Sequence, residues 1–343
     1  MSKERPILLA NDFHIAKDNI EEFRKNWEEM EKVAQEYDCE FVHIGGDLFD
    51  SPTVQTLPVI LSVQDMLLEA KDDYKLTVNI TPGNHDKPNR EDEASWVDYL
   101  GLCANVCSKP FKQRLSDDGL YLFQFPYYLE GAEFQKALDW ANESLKKGSI
   151  DKHQVILYLH EGIHGALGDF DVPNELPQGM FDDYYKVLCG HYHNRTHIKG
   201  TNIYYIGASR AHNFGEDEEK GYTLLWPNGD TEFIKNEINT RYVTEHLKVS
   251  ELKGWQSKYD KRYKVRLIVS CNSDDVETID KQLLLDKGAS KIEFDTEKIQ
   301  AIKVEQSDMN EKFDTKNLQQ EYKEFCGEKD LDDKMGMKYL RNL

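Results

Sequence analysis

Five short polar stretches each directly follow an apolar run: Asp12-Phe13-His14, Gly46-Asp47-Leu48-Phe49-Asp50, Gly83-Asn84-His85-Asp86, His160, and Gly190-His191-Tyr192-His193. Their donors are carboxylate, imidazole and amide, with no thiolate, a set that suits divalent ions such as Mn2+, Fe2+ or Zn2+. There are enough donors for two ions. Two ions joined by a carboxylate stand about 3.5–4 Å apart, the separation that activates water and stabilises in-line displacement at phosphorus. Phosphoester hydrolysis is the reaction to which this chemistry points. Charged and amide side chains crowded at strand ends would be costly if buried unpaired, which weighs against a purely structural reading. His43, His153 and His212 stand alone and receive no role. His164 follows His160 by four residues, but glycines at 162 and 165 weaken any helix that would pair them.

Tight turns at glycines 46, 83 and 190 are needed to bring these side chains to a sheet edge. The elements before them read as strands and helices in alternation. Apolar Ile7–Ala10 is followed by Ile20, Phe23, Trp27, Met30, Ala34 and Tyr37 at steps of three and four, one face of a helix over 19–37. A strand at 41–44, a helix at 54–70 and a strand at 76–80 complete a βαβαβ beginning, which implies a parallel sheet. Further strands are expected at 121–125, 155–160, 186–189, 203–206, 222–226 and 231–234, with a helix at 134–145 and an Asn-Gly hairpin turn in Trp226–Asp230. The expected class is α/β, an αββα sandwich of two mixed β-sheets with helices outside. Ligands gather beyond the carboxyl ends of such strands, where all five polar stretches would converge.

After about residue 241 the pattern changes to a strand at 263–270, a helix at 275–285 and a strand at 290–294. The expected division is 1–245 for the large domain, 246–307 for a small β-α-β capping domain and 308–343 for a helical segment. Leu318, Tyr322, Phe325, Met335, Tyr339, Leu340 and Leu343 are its apolar anchors. That segment either packs on its own domain or docks a partner.

The 343 residues carry 43 Lys+Arg against 63 Asp+Glu, a net charge of −20 that repels phosphate backbones and argues against stand-alone, high-affinity nucleic-acid binding. No apolar run approaches the roughly 20 residues of a membrane helix, and the N-terminal apolar stretch is too short for a signal peptide, so a cytoplasmic protein is expected. The six cysteines show no CxxC spacing and read as reduced thiols.

Taken in order, D-x-H, GDxxD, GNHD, a later His and GHxH resemble the calcineurin-like metallophosphoesterase superfamily over residues 6 to about 236. Within it, GDLFD, Tyr158–His160, GHYHNR and the YYIGASR stretch at Tyr204–Arg210 are most similar to the SbcD-type DNA-repair nuclease subunit and its bacteriophage recombination relatives. The resemblance implies that Asp12, His14 and His193 bind one metal, Asp47 bridges, and Asn84, His160 and His191 bind a second. Mn2+ is the expected ion, with Mg2+, Fe2+ and Zn2+ as alternatives. His85 is then the catalytic histidine that assists protonation of the leaving oxygen, and Asp86 orients His85 or His14. In part of the family a histidine stands where this chain has Asp50.

Arg195, Ser209 and Arg210, with Asn89 and Arg90, are candidates for meeting substrate phosphates or, equally, for pairing with neighbours. The implied partners are DNA, an SbcC-type coiled-coil ATPase that supplies DNA binding, and a second copy of the chain. A phosphoesterase acting on a small phosphodiester or a phosphoprotein is the rival reading, and a non-catalytic scaffold a third.

Overall fold

The computed structural model describes residues 5–89, 94–116, 119–168, 172–296, 322–323 and 326. The chain begins β1 (Ile7–Ala10), α1 (Ile20–Glu36), β2 (Phe41–Gly45), α2 (Leu57–Asp72), β3 (Thr77–Thr81) and β4 (Asn105–Val106). It continues with β5 (Phe111–Arg114), β6 (Tyr121–Gln124), α3 (Gly131–Gly148), β7 (Val155–Leu159), β8 (Lys186–Cys189), β9 (Thr196–His197) and β10 (Ile203–Tyr205). The remaining elements are β11 (Gly221–Leu225), β12 (Thr231–Lys235), β13 (Arg241–Lys248), β14 (Tyr263–Cys271), α4 (Lys281–Asp286) and β15 (Lys291–Thr296).

Two six-stranded sheets, ordered β12-β11-β1-β2-β3-β4 and β5-β6-β7-β8-β10-β9, form the sandwich. Strands β1, β2, β3 and β4 run parallel, as do β6, β7, β8 and β10, while β11, β12, β5 and β9 join antiparallel. The mixed class expected from the strand-rich second half is therefore what the chain adopts.

Side-chain alternation explains why the central strands are apolar on both faces. In β1, Leu8 and Ala10 face the layer that contains α1 and α2 residues such as Phe23, Trp27, Val63 and Met66. Ile7 and Leu9 face the other sheet, meeting Leu122, Ile156, Tyr158 and Leu188. In β7, Ile156 and Tyr158 point into this shared layer, whereas Val155, Leu157 and Leu159 pack with Phe134, Leu138 and Leu145 of α3.

The helix expected over 275–285 is split into a 3-10 turn, Ser273–Thr278, and the short α4. Asp280 causes the break: its side chain accepts from Leu283 N at 2.9 Å and starts a new helix. In the Trp226–Asp230 hairpin Gly229 alone takes positive φ, while Asn228 caps by accepting from Asp230 N at 3.0 Å. The described residues form two compact units, one up to Thr244 with Ser257–Arg266 and Gly288–Lys291, and one of Glu245–Gln256 with Leu267–Lys287 and the described residues from Ile292 on. In the second, Lys281 Nζ lies 5.0 Å from the Phe294 ring. Arg90 and the anchors Leu318, Phe325, Met335, Tyr339, Leu340 and Leu343 lie outside the described residues. No described helix is long and apolar enough to cross a membrane.

Glu31 is fully buried on α1, with Trp27 Nε1 donating to its Oε1 at 2.8 Å and Oε2 lacking a hydrogen-bond partner. Burial raises its carboxyl from 4.5 to about 7. The folded chain thus holds a proton that the unfolded chain releases, and the associated stability, complete below 4.5, is lost as pH rises through about 7. Glu31→Gln is expected to stabilise by roughly 1–3 kcal/mol at alkaline pH and to change little under acid conditions. Urea unfolding at both extremes measures this, and equal effects would contradict the assignment.

Candidate metal centre

Backbone pairing continues past the ends of β1 and β2 and shapes the first two polar stretches. Asp12 N donates to Gly46 O at 3.0 Å, His14 N to Asp47 O at 3.1 Å and Ile15 N to Leu48 O at 2.9 Å. Phe13 packs against Phe23 and Trp27, with ring centroids 5.3 and 6.0 Å away, and Leu48 and Phe49 are buried in the same core. These apolar residues anchor the loops while Asp12, His14 and Asp47 turn to the site. Their φ angles are 53°, 48° and 51°, and that of His191 is 84°, all in the left-handed region. Such geometry costs roughly 1–3 kcal/mol per residue and persists only where the surroundings enforce it.

Asp86 is one enforcing group. Its oxygens accept from Gly83 N at 2.8 Å, Leu48 N at 3.3 Å and Phe49 N at 2.9 Å. Expected to orient His85 or His14, it instead clamps the loops after β2 and β3 through three backbone amides. Burial, with the Asp47 charge, raises its carboxyl to about 6. Gly83 is required by contact: a Cβ there would overlap the Asp47 carboxylate and backbone nitrogen.

The other sheet supplies imidazoles. His160, just after β7, donates from Nδ1 to Gly45 O at 2.7 Å, so Nε2 faces the site and carries the lone pair whenever the ring is neutral. Tyr158, two residues earlier, reaches across to donate to Ala10 O at 2.9 Å. After β8, His191 N donates to Asp12 Oδ2 at 3.2 Å and its Nδ1 lies 2.9 Å from Asn84 Oδ1. His193 Nδ1 is 2.9 Å from Glu216 Oε1.

At the centre, Asp47 Oδ2 lies 3.2 Å from His160 Nε2 and 3.6 Å from His14 Nε2. Asp12 Oδ1 lies 3.8 Å from His160 Nε2, 4.0 Å from His14 Nε2 and 3.9 Å from His193 Nε2. Both His14 Nε2 and His160 Nε2 are buried without a hydrogen-bond partner. Lone pairs of imidazole and carboxylate that face one another away from water repel unless a proton or a metal cation sits among them. The titration of the site reflects this. Burial alone would lower His160, but Asp47 and Asp12 raise it to about 10. Burial would likewise raise Asp47, yet His160, His14 and His85 hold it far below the usual carboxylate range. His191, by contrast, falls to about 4 through burial and the neighbouring His160.

Among the described residues, three groupings have ligand atoms within 4.8 Å of one another: His14, His193 and His212; His14, Asp47 and His85; and Asp47, His160 and His191. Donors around one divalent ion, at bond lengths near 2.1 Å, stand roughly 3–4 Å apart. The residues present therefore fit divalent metal.

A model of the calcineurin-like phosphoesterases matches residues 5–195, a span that contains Asp12, His14, Asp47, Asn84, His85, His160, His191 and His193. The chain belongs to the calcineurin-like phosphoesterase family. It is similar to the Pseudomonas putida nuclease MPE, at 16% identity over 64% of this chain and 84% of that one, with a TM-score of 0.30. It is also similar to a dimetal phosphatase from Danio rerio, at 10% identity over 65% of this chain and 93% of that one, with a TM-score of 0.41.

In this phosphoesterase three of the residues proposed from sequence to meet substrate, Arg195, Ser209 and Arg210, make contacts within the protein. Arg195 donates to Ile206 O and to Thr223 Oγ1 at 3.1 Å, and its guanidinium lies 4.1 Å from the Phe233 ring. Ser209 Oγ donates to Asn11 O at 2.9 Å in the buried interior. Arg210 is buried and donates to Phe13 O at 2.8 Å and His14 O at 3.0 Å, which ties down the first ligand loop from behind. Asp50 faces the site: its Oδ1 is 3.5 Å from His14 Nδ1, and its carbonyl is 2.5 Å from His85 Nδ1. His43 is structural, held by Gln124 and Gln113 at 2.7 and 2.9 Å.

Sequence reasoning passed over His212 and Glu216. His212 lies edge-on to His14 and tilted against His193, its Nε2 is 2.9 Å from Asp12 O, and burial with the adjacent Arg210 charge pushes it well below the usual histidine range. Neither residue belongs to a repeated ligand pattern; the available signal was a polar His-Asn-x-x-Glu run soon after the β10 strand pattern.

Gly83→Ala is expected to displace Asp47 and weaken Mn2+ binding on the order of 10-fold or more while preserving far-UV circular dichroism. Calorimetric Mn2+ titration tests it, and unaltered affinity would count against Asp47 as a shared ligand.

Proposed function

We propose that the chain is a two-metal phosphodiesterase whose substrate is DNA, working as an exo/endonuclease subunit in repair, recombination or replication. The observation that supports it most is the pair of buried, unpartnered nitrogens, His14 Nε2 and His160 Nε2, aimed at the carboxylates of Asp12 and Asp47. Asp12, His14 and His193 would hold one ion, Asn84, His160 and His191 the other, and Asp47 would be shared. Mn2+ is the proposed ion, since carboxylate, amide and imidazole donors suit it. Divalent ions supply Lewis acidity, which activates water for attack and neutralises charge building at phosphorus.

The remaining work falls to the protein. Asp47 Oδ1 accepts from His85 N at 2.8 Å, which seats His85 beside the reacting centre. With Nδ1–H directed to the Asp50 carbonyl, protonated His85 presents Nε2–H to substrate and gives that proton to the departing 3′ oxygen. His160 and His193 are kept in their working tautomers by Gly45 O and Glu216.

A net charge of −20 makes DNA binding dependent on help. We place that help in an SbcC-type coiled-coil ATPase docked through the segment from 308 on, and place the assembly in the cytoplasm. A homodimer belongs to the same reading; exposed Val54 with Leu57 and Leu61 of α2 supports self-association. The same charge favours the rival, a phosphoesterase of small diesters or phosphoproteins.

Asp47→Asn and chelation are each expected to abolish hydrolysis of end-labelled DNA and of a chromogenic phosphodiester, with Mn2+ restoring the chelated enzyme. His85→Ala is expected to lower kcat by roughly 10²–10⁴ with metal content retained. Diester cleavage without DNA degradation, even with the ATPase added, would favour the small-substrate reading. Full activity in Asp47→Asn would remove the ligand assignment.

A further inference from the structure

His212 is a titratable residue at the centre that the phosphodiesterase reading leaves without work. It stands on the segment between β10 and β11, and its ring centroid is 4.8 Å from that of His14 and 4.7 Å from that of His193. A ring nitrogen of each of the three lies within 4.8 Å of the others.

The direction of its lone pair follows from a side-chain hydrogen bond. Nε2 is 2.9 Å from the Asp12 carbonyl, an atom that can only accept, so Nε2 carries the proton and the neutral ring has its lone pair on Nδ1. His193 is wired the opposite way, with Nδ1 2.9 Å from Glu216 Oε1 and Nε2 3.9 Å from Asp12 Oδ1. Glu216 governs both residues, because its Oε2 also accepts from the backbone nitrogen of His212 at 3.1 Å. Asn213 Nδ2 donates to Glu216 Oε1 at 2.8 Å, and buried Lys220 Nζ lies 3.8 Å from Oε2, so the carboxylate that arranges the two imidazoles is itself fixed.

We propose that His212 Nδ1 is a further ligand of the ion held by Asp12, His14 and His193. The inference rests on the two-metal reading. It makes the two subsites chemically unequal: one has three imidazoles, and the other has His160 and His191 with the Asn84 amide. Greater nitrogen content favours Fe2+, Co2+ or Zn2+ over Mg2+, so the His212 subsite is the more selective of the two.

The test is Mn2+ binding to the full chain, followed by electron paramagnetic resonance, in wild type, His212→Ala and His212→Gln. Wild type is expected to bind two ions. Each variant is expected to weaken one of them on the order of 10–100-fold and leave the other unchanged. Glutamine can still donate an amide N–H toward the Asp12 carbonyl, so recovery of affinity in His212→Gln would overturn ligation and leave a positioning role. Unchanged affinity in His212→Ala would also overturn it. Failure of wild type to bind any Mn2+ would instead overturn the metal reading itself. A measurement that needs no folded variant is the ring 15N spectrum of the wild-type protein on Zn2+ loading. The His212 Nδ1 resonance is expected to leave its free lone-pair position, and a stationary resonance would overturn the proposal.

Discussion

Two buried carboxylates and two buried imidazole nitrogens meet at the carboxyl ends of strands from opposite sheets, with their polar atoms turned toward one another. This arrangement is the costly feature of the molecule, and much of the surrounding structure makes sense as what prevents it from relaxing. The left-handed backbone at Asp12, His14, Asp47 and His191 would revert to extended geometry if the loops were free. Arg210 grips the first loop from the core side, Asp86 ties the second to the third, and Tyr158 joins β7 to the end of β1. Rigid strands deliver the donors, and buried polar groups lock the last few residues.

The division of labour between the sheets is also chemical. The first contributes both carboxylates, Asn84, His14 and the catalytic candidate His85, all on three adjacent parallel strands. The second contributes imidazoles, each oriented by an acceptor of its own: Gly45 O for His160, Asn84 for His191 and Glu216 for His193. Both carboxylates thus enter from one wall and face imidazoles of the other: Asp47 meets His160, and Asp12 meets His160 and His193.

Much of this was legible in the sequence, because the site is made of local patterns. An apolar run followed by Asp-x-His or Gly-Asp-x-x-Asp encodes strand, turn and ligand together. The amphipathic spacing of Phe23, Trp27 and Met30 places α1, whose bounds fall within a residue of those expected. Strands β5 and β13 escaped notice because almost none of their side chains is buried, so sequences such as Phe111–Arg114 carry no apolar run. Long-range hydrogen bonding hid the roles of Arg195, Ser209 and Arg210: an arginine near a phosphate site looks the same in sequence whether it faces substrate or a carbonyl 197 residues away. His212 was hidden for the same reason, since its partner, the Asp12 carbonyl, is 200 residues distant.

The shared layer between the sheets has a consequence at the site. Ile7, Leu9, Leu122, Ile156, Tyr158, Leu188, Ile206 and Leu225 fill it, and a close-packed hydrocarbon layer is nearly incompressible. Its thickness therefore sets the span between Asp47 on one wall and His160 on the other. In this fold the separation of the site's two walls is gauged by the volume of side chains that take no part in it.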